Sequence, residues 1–178
     1  MNRVAEFQKV SFEQYKKDFM NVSPDVFTDM SEEQIHETIT EIYNGIQIPK
    51  RATAGSAGYD FFAPVGFSLP VGSSMVIPTG IRCVIVDGWC LKAYPRSGHG
   101  FKYGISLANT VGVIDSDYAA SDNEGHIMVK LVNNAPFAKE FSVQKDNAFC
   151  QMILTPYGIT YDDNAEEIRN GGFGSTGA

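Results

Sequence analysis

The stretch IRCVIVDGWCLKAYP, residues 81–95, places Asp87-Gly88 between two apolar runs. Asp-Gly in that position is the strongest short hairpin signal, because the tight turn needs positive φ and glycine supplies it without steric cost. The reading is two strands joined at Asp87-Gly88. On its C-terminal side, GHIMVKLVNNAP (125–136) and AFCQMILTPYG (148–158) continue the pattern, each a short apolar run bounded by Asn, Pro or Gly. Short strands at this spacing, with no helical period between them from Ile46 onward, predict a mainly β chain: a sandwich, a jelly roll or a closed barrel.

The first 45 residues differ. In MSEEQIHETITEIYNG (30–45), Ser31 reads as an N-cap with Gln34 three residues on, Ile35, Ile39 and Ile42 fall on one stripe, and Gly45 is a stop. SFEQYKKDFM (11–20) predicts a second short helix. Both stripes need a surface to cover, on the main domain or on a neighbouring subunit. His36 lies off the stripe and reads as solvated. The expected organisation is a helical N-terminal extension over 1–45, a β domain over 46–168 and a glycine-rich lid over 169–178.

With 178 residues, 43% of them hydrophobic, the chain has material for one good core. A formal charge of −7 argues against a general nucleic-acid-binding surface, which needs a basic stripe. No run of 18 apolar residues and no signal-like start is present, so a cytoplasmic protein with no membrane association is expected. Cys83, Cys90 and Cys150 lack metal-ligand spacing and sit in apolar stretches, which predicts buried thiols.

Four stretches set polar residues between glycines inside this β pattern. In TAGSAGYDFFAP (53–64), Asp60 stands at a strand start, as a turn former or a ligand. In YPRSGHGFKYG (94–104), Arg96, the Ser97 hydroxyl and the Gly98 amide suit either a turn or an oxyanion clamp; His99 is set aside because nothing adjacent in the sequence would orient it. In LANTVGVIDSDYAASDNEGH (107–126), Asn109 carries an amide that both donates and accepts, as reading a pyrimidine edge requires. Asp115 and Asp117 would share one face of an extended strand, with Tyr118 on the other, or the acidic residues belong to a calcium-type turn. Gln151 interrupts an apolar strand and needs a partner, in the core or in a site.

The chain ends RNGGFGSTGA (169–178), with four glycines among the last eight residues and little to bury. It reads either as a frayed end or as a closing element. Arg169, Ser175 and Thr176 would suit a polyanion and Phe173 an aromatic ring.

In order, AGYD, PRSG, GVIDSDY, the strand holding Gln151 and GGFGSTG resemble the five motifs of the trimeric deoxyuridine triphosphatases (dUTPases), over residues 46–178. Three departures stand out. The fourth motif, usually close to Gly-Asp-Arg-Ile-Ala-Gln, reads DNAFCQ. The Arg-Gly-Glu after the third-motif tyrosine is replaced by the longer AASDNEG, and the fifth motif is one residue shorter after Arg169.

The resemblance implies a jelly-roll-like β-barrel or sandwich and hydrolysis of dUTP to dUMP and pyrophosphate with Mg²⁺. It also implies a homotrimer with active sites between subunits. Asp115 would be the general base for water attack on the α-phosphorus. Arg96, Ser97 and Gly98 would hold the phosphates, Gln151 the water or an oxygen, and Asp60 the waters of the metal. Asn109 with Gly112, Val113 and Ile114 would read uracil, with Met128 lining the site and Tyr118 stacked under the sugar. Phe173 would cover the base, while Arg169, Gly174, Ser175 and Thr176 gather the distal phosphates. Ordering about ten tail residues costs roughly 10 kcal/mol or more, and stacking returns only about 1–3, so closure should require the triphosphate. Two other readings remain: a dCTP deaminase, for which Glu124 is the only glutamate in the motif stretches, and an interaction module binding through its N-terminal helices.

Overall fold

A computed structural model describes residues 2–134 and 140–167. The N-terminal segment opens with a strand ahead of the two expected helices: β1 (Ala5–Lys9), α1 (Phe12–Val22), one 3-10 turn (Pro24–Phe27) and α2 (Glu32–Gly45). The hydroxyl of Ser11 accepts from the Gln14 amide to cap α1. The capping box of α2 is complete, with Ser31 accepting from the Gln34 amide while its own N–H donates to Gln34 Oε1 at 2.8 Å. Ile39 is fully buried, with Ile35 and Ile42 packed beside it. His36 is exposed, its ring against Phe12.

Strands dominate the rest: β2 (Lys50–Arg51), β3 (Tyr59–Phe62), β4 (Phe67–Leu69), β5 (Ser74–Pro78), β6 (Ile81–Ile85) and β7 (Trp89–Pro95) come before a short helix, α3 (Ser97–Tyr103). After it come β8 (Ile105–Leu107), β9 (Gly112–Ile114), a 3-10 turn (Ser116–Ala120), β10 (Met128–Asn133), β11 (Phe141–Val143) and β12 (Ala148–Pro156). Among the described residues the largest sheet runs β2-β3-β12-β7-β9, facing a smaller sheet β5-β10-β8 and the pairs β11-β4 and β1-β6. Every pairing is antiparallel. The chain is mainly β, as the turn spacing predicts, and jelly-roll-like, as the resemblance implies.

The core follows from strand alternation, which sends every second side chain inward. Phe61, Leu91, Phe149, Cys150 and Met152 from the large sheet meet Leu131 and Val129 from the smaller one, with Val10, Tyr15, Phe19 and Ile39 of the N-terminal segment in the same cluster. Each such side chain contributes about 1.5–3 kcal/mol by leaving water. The three cysteines are buried thiols, and burial pushes Cys83 up to about 12, so it stays protonated and unreactive. Among the described residues no helix is long and apolar enough to cross a membrane.

The hairpin read at Asp87-Gly88 is corrected. The turn forms, with Gly88 at φ 81° and the Trp89 amide donating to Val86 O at 3.3 Å. Yet β6 and β7 do not pair: β6 lies against β1, and β7 lies between β12 and β9. The turn carries the chain from one sheet to another, because β1 takes the edge of β6 that a hairpin partner would have filled.

Candidate functional site

The segment between β8 and β9 doubles back sharply. The Val111 amide donates to Asn109 O at 2.6 Å, and Thr110 holds φ 64°, a left-handed conformation that a β-branched residue adopts only when its surroundings impose it. This kink places Asn109 over Gly112: a Cβ on Gly112 would lie 3.5 Å from Asn109 Nδ2 and 3.2 Å from Ala93 Cβ. Asn109, Gly112, Val113 and Ile114 line a cavity of about 470 Å³ with Met128 of β10 and Ala93 and Met152 of the large sheet. Its wall is apolar except for the side chains of Asn109 and Lys130. Five of the residues proposed from the sequence to read a base are thus gathered at one place, in a slot that admits a flat ring with one amide to orient it.

Asp115 follows directly on Ile114. The strand ends there, and Asp115 opens the 3-10 turn Ser116–Ala120, its carbonyl accepting from the Tyr118 amide at 3.2 Å. The extended arrangement expected for residues 115–118 is therefore absent, since a turn has no two-residue alternation. Asp115 is half-buried and Asp117 exposed. Tyr118 is only 4% exposed, its hydroxyl donating to His126 O at 3.0 Å and accepting from Asn123 Nδ2 at 2.8 Å. Neither Asp115 nor Tyr118 belongs to the cavity wall. Among the described residues no group of three or more His, Cys, Asp or Glu side chains is placed to hold a metal ion.

A second, polar group assembles from β3, β7, α3 and β12. Asp60 and Gln151 are register partners across β3 and β12. Arg96 Nε lies 3.2 Å from Asp60 Oδ1, and Gln151 Nε2 donates to Pro95 O at 3.3 Å. The other end of the Gln151 amide crowds Gly58, where a Cβ would come within 2.8 Å of Oε1. Arg96, Ser97 and Gly98 border a cavity of about 370 Å³ with His99, Lys102 and Tyr103. His99, set aside on sequence, is oriented after all: its Nδ1 lies 3.3 Å from Phe149 O and its ring packs edge-on against Phe141. Burial lowers its pKa despite that carbonyl, so the ring is neutral at pH 7. No local sequence signal marks His99 as a cavity residue, because the contacts that place it come from the distant Phe141 and Phe149.

The two groups stand on opposite faces of one sheet. Ala93 and Met152 are register partners that face the apolar cavity, while Tyr94 and Gln151, one position along, are partners that face away. Within one chain, Asn109 and Arg96 therefore do not meet. Arg169, Phe173, Gly174, Ser175 and Thr176 lie outside the described residues.

The dUTPase family model matches residues 44–177. A deoxyuridine 5'-triphosphate nucleotidohydrolase of Lactococcus lactis subsp. lactis is 42% identical over 146 residues, covering 80% of this chain and 96% of its own. That of Dictyoglomus turgidum is 35% identical over 154 residues, covering 80% and 99%. Among solved structures, a dUTPase from Streptococcus mutans superposes with a TM-score of 0.59 at 26% identity, over 86% of this chain and 97% of that one. A dUTPase from phage phi11 of S. aureus, solved with the coordination of a structural Mg(II) ion, superposes at 0.55 and 18% identity, over 69% and 92%.

Proposed function

Because the chain belongs to the dUTPase family and hydrolyses dUTP to dUMP, we propose that two copies of it build each active site, one supplying the Asn109 cavity and Asp115, the other the Asp60, Arg96 and Gln151 face. The observation that carries this reading is the opposed placement of the two groups on a single sheet. Closed rotational symmetry brings such faces together between copies, and a homotrimer would hold three such sites.

In this arrangement uracil enters the apolar cavity. Asn109 pairs with its edge, and the ordered kink at Thr110 keeps that amide in place. Cytosine presents a donor where uracil presents an acceptor, which leaves one buried pair unmade. Asp115 takes a proton from water as oxygen bonds to the α-phosphorus, and the bond to the bridging oxygen breaks with its electron pair leaving on pyrophosphate. Arg96, Ser97 and Gly98 of the second copy hold the phosphate oxygens, and Gln151 steadies the attacking water. Tyr118 would limit the room at the sugar 2′ position. The tail with Arg169 and Phe173 would cover the bound nucleotide and gather its distal phosphates.

The donor set fits Mg²⁺ carried in with the substrate. Among the described residues Asp60 is the one carboxylate of the polar face and already meets Arg96, and no cage of three acidic, His or Cys side chains forms. Mg²⁺ takes few protein ligands when phosphates and water supply the rest, and Asp60 would hold it through water. Bound there, the ion would neutralise triphosphate charge.

Pyrophosphate release measured with dUTP, dCTP, dTTP and UTP side by side tests the recognition. Turnover of dUTP is expected to exceed that of dCTP by at least roughly 5- to 150-fold, the worth of one unmade buried hydrogen bond. Comparable rates with dCTP, or ammonia released from it, would remove Asn109 from the reading.

A further inference from the structure

The loop at 121–126 departs from the family pattern, and it packs directly on the turn that Asp115 opens. Gly125 holds φ 70°, and a Cβ there would lie 2.6 Å from Ala119 Cα and 2.8 Å from Tyr118 O. Glu124 is also left-handed at φ 58°. Arg82 Nη2 donates to Ala119 O at 3.0 Å from the other side. Backbone strain of this kind persists only where surrounding contacts impose it.

Those contacts come from the N-terminal segment. The Ser11 amide donates to Glu124 Oε2 at 2.7 Å and its hydroxyl to Glu124 Oε1 at 2.6 Å, so one residue engages both carboxylate oxygens. These bonds hold the Glu124 carboxyl below the usual carboxylate range. Within α1, Gln14 donates to Asp18 Oδ2 at 2.7 Å. The same oxygen lies 2.6 Å from Nδ1 of His126, which is wholly buried. The Gly80 amide donates to His126 Nε2 at 2.8 Å, so the proton sits on Nδ1 and is given to Asp18. His126 O in turn accepts from the Tyr118 hydroxyl.

We propose that Ser11 and Asp18 are positioning residues for hydrolysis: acting through Glu124 and His126, they seat the 121–126 loop that fixes the Asp115 turn. This rests on Asp115 being the base. Neither residue touches the nucleotide. Their effect is on the aim of a carboxylate, where a displacement of about 1 Å costs up to about 10²-fold in rate. The N-terminal segment thereby takes part in catalysis from behind the site, through the loop that stands where the family has Arg-Gly-Glu.

The experiment uses the full chain and two substitutions, Glu124→Gln and Asp18→Asn, each made in the native background and on top of Asp115→Asn. Glu124→Gln leaves Ser11 capping α1, and Asp18→Asn serves if the first variant does not fold. In the native background kcat should fall roughly 5- to 30-fold, with KM for dUTP and affinity for dUMP changed less than about twofold. On Asp115→Asn the same change should alter the residual rate by less than about twofold, since the misplaced group is already gone. Equal losses in both backgrounds, a rise in KM matching the fall in rate, or unchanged kcat in the folded variants would each overturn the proposal. If Asp115→Asn alone keeps its turnover, the assignment of the base fails first, and this proposal with it.

Discussion

Asp115→Asn lowers kcat for dUTP by about 10²–10⁴-fold, while dUMP binds within about twofold of its affinity for the native chain. Asparagine keeps the shape of the side chain at the opening of the 3-10 turn and cannot accept the water proton. The cavity lined by Asn109 ends at Ile114 and does not include Asp115, so the substitution leaves it intact. Rate and affinity should separate cleanly. A loss of dUMP affinity as large as the loss of rate would make Asp115 a binding group.

Arg96→Ala lowers kcat by about 10²–10³-fold, the usual cost of removing one preorganised donor from developing charge. Arg96 reaches Asp60 Oδ1 through Nε and lies 3.5 Å from Ala148 O through Nη1, so its fork is held before substrate arrives. Its side chain is 41% exposed on the border of the smaller cavity, where phosphates can meet it. Arg96→Lys should recover only part of the rate, because an ammonium keeps the charge and loses the fork. Full activity in Arg96→Lys would reduce the role to charge alone, and full activity in Arg96→Ala would remove the residue from the reaction.

Legibility in the sequence tracked how local each cause was. The capping box at Ser31 and the stripe through Ile39 depend on neighbours within one helix, and both are present as read. The β architecture came from turn spacing, which is also local. The Asp87-Gly88 pairing failed because its cause is not local: β1, more than 70 residues earlier, occupies the edge of β6. Asn109, Gly112, Val113, Ile114 and Met128 converge because their motif order carries a three-dimensional arrangement that composition does not. The alternation expected at Asp115–Tyr118 assumed a strand, and the backbone turns at Asp115 instead. Nothing adjacent in sequence orients His99 because Phe149 is 50 residues away, and nothing local shows what holds Glu124 because Ser11 is 113 residues away.

The central claim, that each site is divided between copies, is tested most directly by combining the two damaged chains. Asp115→Asn and Arg96→Ala chains, each nearly inactive alone, are co-expressed in equal amounts under different affinity tags and purified through both. Purification through both tags removes the two homotrimers, and each mixed trimer pairs a native Asp115 from one copy with a native Arg96 from another at about one site in three. Activity per chain should therefore return to about a third of that of the unsubstituted protein. Activity no greater than the average of the two variants would mean that Asp115 and Arg96 serve the same chain, and would contradict the shared site.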